Sequence, residues 1–78
     1  MTILELKNQL ENESIPQYMY SLLSGGFPNE AYCLTERNGM WEVYYSERGN
    51  KRGQKQFSTE NDACEYFYKK VKKYASQK

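Results

Sequence analysis

An asparagine–glycine pair, Asn38-Gly39, stands between two runs of residues typical of β-strands and constrains the fold of this chain more than any other feature. Asn-Gly is the preferred pair at the centre of a type I′ turn, because both central residues of that turn need a positive φ. The runs on either side, 31–37 and 40–47, are rich in tyrosine and other strand formers. We therefore predict an antiparallel hairpin in which Arg37 pairs with Met40.

The turn also fixes which side chains of the hairpin share a face. Counting outward from the turn pairs Leu34 with Val43 and Tyr32 with Tyr45, and side chains alternate between the two faces of a strand. We predict that these four residues and Trp41 form the core side. The opposite face carries Cys33, Thr35, Met40, Glu42, Tyr44 and Ser46. We expect the tyrosine on that face to be exposed.

Amphipathic helices are predicted at both ends of the chain. Thr2 and Glu5 have the spacing of a capping box, so the first helix runs to about Glu13. Thr59 is the expected N-cap of a second helix, which has acidic residues in its first turn, where the helix dipole favours them. Apolar residues recur at helical spacing in both segments. These are Ile3, Leu6 and Leu10 in the first helix and Ala63, Phe67, Val71 and Tyr74 in the second.

Residues 17–23 fit two structures. Their alternation favours a strand, which we expect to pair antiparallel after a turn at Ser24-Gly25-Gly26. Pro16, however, could begin a short helix at the same place. The first interpretation gives the element order αββββα, and the second gives αβββα with an extra turn.

The remaining segment, 48–58, is interpreted as a glycine-bounded basic loop, Arg48 to Gly53, followed by a short last strand with Phe57 as its anchor. The predicted fold is α+β. It is a four-stranded antiparallel meander over residues 17–58 with flanking N- and C-terminal helices over 1–13 and 59–76, in a single domain of residues 1–78.

Composition removes several classes of function. The chain has no histidine, the commonest general base and metal ligand. Cys33 and Cys64 are isolated rather than part of a Cys-x-x-Cys pair, so we expect two reduced, partly buried thiols and no metal site. No apolar run is long enough to cross a membrane, which favours a cytoplasmic location. We predict no catalytic residues and no cofactor, and therefore a protein that is not an enzyme.

Charge and tyrosine content point instead to binding. Residues 1–46 carry two cations against six carboxylates, whereas residues 47–78 carry nine cations against four. The basic half indicates either a nucleic-acid footprint or the solvated face of a helix. Eight tyrosines cannot all fit the core of a 78-residue chain, and tyrosine is enriched at interfaces. We therefore expect a macromolecular partner.

Several motifs resemble small bacterial immunity proteins, the antitoxins of contact-dependent growth inhibition and other polymorphic toxin systems. They are Tyr32-Cys-Leu, Trp41-Glu-Val-Tyr-Tyr-Ser-Glu-Arg-Gly49, Phe57, and Glu60 with Ala63-Cys-Glu-Tyr-Phe67, within residues 15–70. The resemblance implies a cytosolic protein that binds one cognate toxin domain, such as a nuclease, and blocks its active site or its access to substrate. Our contact candidates are Glu42, Tyr44, Glu47 and Arg48. Tyr44 would be the aromatic anchor, and the acids would mimic phosphates.

Residues 41–67 are also similar to the DNA-binding arm of phage-type integrases, a three-stranded sheet with one helix. This alternative would use Arg48, Lys51, Arg52 and Lys55 on phosphates. The integrase pattern places cations on the strand face opposite the core, but this chain has Glu42 and Tyr44 there. A general interaction domain or a subunit of an oligomer is a third possibility.

Overall fold

The computed structural model describes residues 1–23 and 29–77. Its elements are α1 (Ile3–Asn12), a 3₁₀ turn (Gln17–Met19), β1 (Tyr20–Leu22), β2 (Ala31–Arg37), β3 (Met40–Glu47), β4 (Asn50–Phe57) and α2 (Glu60–Ser76). The strands form one sheet in the order β1-β2-β3-β4. The predicted α+β class, the two helices and the four strands are confirmed.

The prediction of a wholly antiparallel meander is wrong at β1. Residues 17–23 divide between the 3₁₀ turn and β1, and β1 runs parallel to β2, with Tyr20 beside Tyr32 and Leu22 beside Leu34. Eight residues separate the two strands, more than the two to five of a hairpin loop, so the length of the connection does not impose an antiparallel pairing. The turn expected at residues 24–26 lies outside the described residues.

The central hairpin follows the sequence prediction. Asn38 and Gly39 have φ values of 53° and 81°, as a type I′ turn requires. Arg37 pairs with Met40, Leu34 with Val43 and Tyr32 with Tyr45. The Asn-Gly turn therefore set both the pairing and the faces of this hairpin.

The basic loop predicted over residues 48–53 is wrong. Arg48 and Gly49 alone form a second tight turn, with φ values of 51° and 79°, and β4 begins at Asn50. A positive φ is uncommon for arginine. Here the Arg48 amide donates to Asn29 Oδ1 at 3.3 Å, which holds the turn. Most of the predicted loop is therefore strand.

Both helices pack on the same face of the sheet. α1 begins at the predicted capping box of Thr2 and Glu5, and α2 begins at Thr59, which accepts from the Asp62 amide. The apolar side chains predicted for the helices meet those of β2 and β3 in one cluster. Its fully buried members include Leu6, Leu10, Leu34, Val43, Ala63, Phe67 and Val71. Within residues 1–23 and 29–77, no helix is long and apolar enough to cross a membrane.

The other face of the sheet is also buried at its centre, which corrects the expected exposure of Tyr44. That side chain is only 2% exposed, and its neighbours Ala31, Cys33 and Ser46 are buried with it. The Lys51 ammonium lies 4.6 Å from the centre of the Tyr44 ring. Burial raises the pKa of Tyr44 to about 12. Both cysteines are free thiols, as predicted, and both are fully buried.

Candidate partner-binding site

The four contact residues predicted from the sequence do not form one surface. Glu42 and Tyr44 lie on the face of the sheet away from the helices, whereas Glu47 and Arg48 lie at the β3–β4 turn. Tyr44 is buried and presents no anchor to solvent. The two acids are ion-paired to β4, Glu42 with Lys51 at 2.9 Å and Glu47 with Arg52 at 3.2 Å.

Both ion pairs have their cation on β4, which is the outer strand of the described sheet. All of its residues except Phe57 are exposed. In an antiparallel edge strand, every second residue turns its amide and carbonyl away from the sheet. Within residues 1–23 and 29–77, no strand pairs with that side of β4. An extended segment of another protein could add there as a further strand.

A bulge decides which β4 side chains face the helices. Val43 pairs with Lys55 and Tyr45 pairs with Arg52, so Gly53 and Gln54 both lie opposite Tyr44. Gly53 has φ +61°, the conformation of a glycine bulge. The bulge shifts the alternation by one residue, and Arg52 therefore joins Lys55 on the helix side of the strand.

α2 packs against β4 near the end of the strand, at Lys55 and Phe57. The Phe57 and Tyr66 rings have their centres 5.2 Å apart. Beyond this contact a groove of about 240 Å³ opens between β4 and α2. We call it the β4 groove. It is lined by Tyr32, Val43, Tyr45, Arg52, Gly53, Tyr66 and Lys70.

Two lysines converge on one aromatic ring at the wall of the β4 groove. The Lys70 ammonium lies 5.4 Å from the centre of the Tyr66 ring, and the Lys55 ammonium lies 5.7 Å from it. Of the carboxylates that the structure describes, none lies within ion-pair distance of either lysine. The Tyr66 ring stabilises both cations, but neither charge is neutralised by a carboxylate of the described residues.

The floor of the β4 groove is rigid. The Tyr32, Tyr45 and Tyr74 rings contact one another with centres 5.0 to 5.7 Å apart. The Tyr74 hydroxyl donates to the Glu30 carbonyl at 2.8 Å. Burial, followed by the hydrogen bond with Tyr74, raises the pKa of Tyr45 far above its usual value. The Tyr45 hydroxyl therefore stays protonated at neutral pH.

Sequence reasoning singled out Lys55 and Arg52 as cations but missed Tyr66 and Lys70. The missed signal was their i, i+4 spacing on α2, which places a lysine over a tyrosine ring on the same helix face. Gly53 was a second signal, since an isolated glycine within a strand often marks a bulge.

The arrangement can hold an anion through Arg52, Lys55 and Lys70 and can contact an apolar stem through its tyrosine walls. Among residues 1–23 and 29–77, no group of three or more cysteines and carboxylates is placed to bind a metal ion. Comparisons of the chain with protein-family models, with curated proteins and with solved structures give no match.

Proposed function

We propose that this chain is an immunity protein, an antitoxin that binds a cognate toxin domain and blocks its active site or its access to substrate. The observation that carries the proposal is the combination of an exposed edge strand with a groove lined by Lys70, beside which Lys55 contacts the Tyr66 ring. Neither lysine is ion-paired to a carboxylate of residues 1–23 and 29–77. A rigid concave surface with aromatic walls is typical of protein-binding sites. The class of partner, a toxin of a contact-dependent growth inhibition or other polymorphic toxin system, is proposed from the resemblance of motifs within residues 15–70 to immunity proteins.

Two of the four contact candidates lie at the start of β4. Glu47 and Arg48 form the turn there, whereas Glu42 is held against Lys51 on the other face of the sheet. Under the proposal Glu47 and Arg48 form part of the polar rim, where charge complementarity mainly raises the association rate. Tyr66 replaces Tyr44 as the aromatic anchor, because Tyr66 is only partly buried and lines the β4 groove.

The proposal is tested by capturing the partner and then measuring protection. Tagged protein is used to isolate partners from the bacterium that encodes it, with washes at roughly 0.5 M salt to remove phosphate-driven contacts. We expect one stoichiometric protein, the C-terminal fragment of a large secreted protein. That fragment should stop the growth of a host cell, and co-expression of this chain should restore growth.

A matched pair of variants makes the growth test specific. Lys70→Glu should lose protection, whereas Lys7→Glu, the same charge change on the exposed surface of α1, should keep it. A captured protein that is harmless to cells, or one whose toxicity this chain does not suppress, would contradict the immunity function.

DNA binding is a second candidate because Arg52, Lys55 and Lys70 lie around one groove. Acids are interleaved with these cations, however, since Glu42 and Glu47 pair with neighbouring β4 residues. A phosphate backbone in the groove would compete with Glu47 for Arg52. This candidate predicts that affinity for duplex DNA falls steeply with added salt and that no protein survives the wash.

A further inference from the structure

We propose that the β4 groove is a binding site for an acidic side chain, a glutamate or aspartate presented by an extended segment of the partner protein. The partner's identity as a toxin rests on the proposed function above. The site itself depends only on the geometry of β4 and α2.

Charge selects the ligand. Arg52 and Lys70 line the groove, Lys55 contacts the Tyr66 ring of its wall, and Glu47 is the carboxylate that the structure pairs with Arg52. Lys55 and Lys70 therefore both lie at one side chain of the groove wall. A carboxylate bound beside this ring would be attracted by two cations that have no ion pair with the carboxylates of residues 1–23 and 29–77.

Volume limits the size of the ligand. Pockets for cofactors and drug-sized molecules measure roughly 300–1,000 Å³, and the β4 groove, at about 240 Å³, is smaller. It has room for one or two side chains. The methylene groups of a glutamate would lie against the tyrosine walls while its carboxylate meets the lysines.

The edge of β4 explains why the acidic side chain should come from an extended protein segment. A segment that adds to β4 as a strand would direct alternate side chains towards the helix side of the sheet, where the groove lies. The space beside Gly53 is open, because even a Cβ at this position would meet nothing within 4 Å. Backbone pairing would supply affinity and the lysines would supply selectivity for an acid.

The inference is tested on the purified chain without any toxin. Two blocked heptapeptides serve as probes, one of alternating threonine and glutamate and one with glutamine in place of glutamate. They are titrated to about 10 mM while the backbone amide signals are followed by NMR. We expect the glutamate peptide alone to shift the amides of residues 51–56, Tyr66 and Lys70.

Variants then locate the site. Lys70→Glu should weaken binding of the glutamate peptide by at least about 10-fold, and Lys55→Gln by at least about 3-fold. Lys7→Glu should change this binding by less than about 2-fold. Amide spectra of the variants confirm that they are folded. The paired charge-reversal variants separate a local site from the effect of net charge.

Three results would overturn the inference. They are no shifts at the highest peptide concentration, equal shifts with the glutamine peptide, or tighter binding of inorganic phosphate or a short oligonucleotide than of the glutamate peptide. Peptide binding in the groove together with a failed growth test would leave this site in place and remove only the immunity function. Growth protection that survives Lys70→Glu would leave the immunity function in place and remove the β4 groove as the site that binds the toxin.

Discussion

Two tyrosine–lysine pairs on α2 have the same spacing but different surroundings. The Lys72 ammonium lies 5.3 Å from the Tyr68 ring centre, and the Lys70 ammonium lies 5.4 Å from that of Tyr66. The Tyr68 side faces α1, where Glu13 forms an ion pair with Lys72 at 3.2 Å. The Tyr66 side faces β4, which contributes another cation.

The two pairs therefore differ in whether a carboxylate meets the lysine. On the α1 side Glu13 neutralises Lys72 and also accepts hydrogen bonds from Tyr68 and Gln9. That cluster ties α1 to α2 and is structural. On the β4 side, Lys55 and Lys70 have no ion pair with a carboxylate of the described residues, so we propose that their charge is available to a partner.

The largest expected effect is a difference in partner affinity between substitutions of Lys70 and Lys72. Lys70→Glu should weaken partner binding by at least about 2 kcal/mol, roughly 30-fold, because it places a repulsive charge in the β4 groove. Lys72→Glu should leave affinity nearly unchanged. Calorimetric titration against the captured partner measures the affinity of both variants. Equal losses of affinity would remove the distinction between the two sides of α2.

A smaller effect is expected from shortening the groove wall. Tyr66→Ala removes the contact with Phe57 and should cost about 1–2 kcal/mol of unfolding free energy, because the ring is only partly buried. Tyr66→Phe keeps the ring and should keep both stability and partner binding. Urea denaturation measures the free energy of unfolding. A large loss in Tyr66→Phe would mean that the hydroxyl, rather than the ring, matters.

The contribution of Glu13, on the α1 side, to stability should decrease in acid. Hydrogen bonds from Tyr68 and Gln9, together with Lys72, hold the pKa of Glu13 below its usual value of 4.5. A lowered pKa means that the ionised form is favoured in the folded state. Its contribution is therefore complete above pH 4.5 and is lost as the pH falls through the folded pKa.

Glu13→Gln tests this pH dependence directly. The variant should have a slightly lower Tm at pH 7, by a few degrees, and a shallower loss of stability between pH 4.5 and pH 3 than the wild-type chain. Urea midpoints across this pH range provide the measurement. Identical slopes in the two proteins would show that Glu13 does not link α1 to α2 through its charge.

The smallest effect is expected from Lys7→Glu. Lys7 is exposed on α1, and surface substitutions away from special features change stability by no more than about 0.5 kcal/mol. Stability and partner affinity should both stay near wild type. A clear loss of affinity would show that the partner responds to net charge rather than to the groove, and would weaken the contrast between Lys70 and Lys72.

The elements with local signals could be predicted from the sequence alone. Asn38-Gly39 fixed the β2–β3 register through the positive φ values that its turn requires. The capping box at Thr2 and the cap at Thr59 fixed where the helices begin. Apolar spacing identified the face of each helix that enters the core, because periodicity and burial are linked residue by residue.

The direction of β1, the burial of Tyr44 and the β4 groove depend on contacts between elements. The eight-residue connection between β1 and β2 does not impose an antiparallel pairing, and Tyr44 is buried between side chains of the neighbouring strands, including Cys33 and Lys51. The groove depends on a bulge at Gly53 that turns Arg52 towards the helices and on α2 placing Tyr66 and Lys70 along the groove. These features arise from pairs of elements, and no periodicity within a single segment records them.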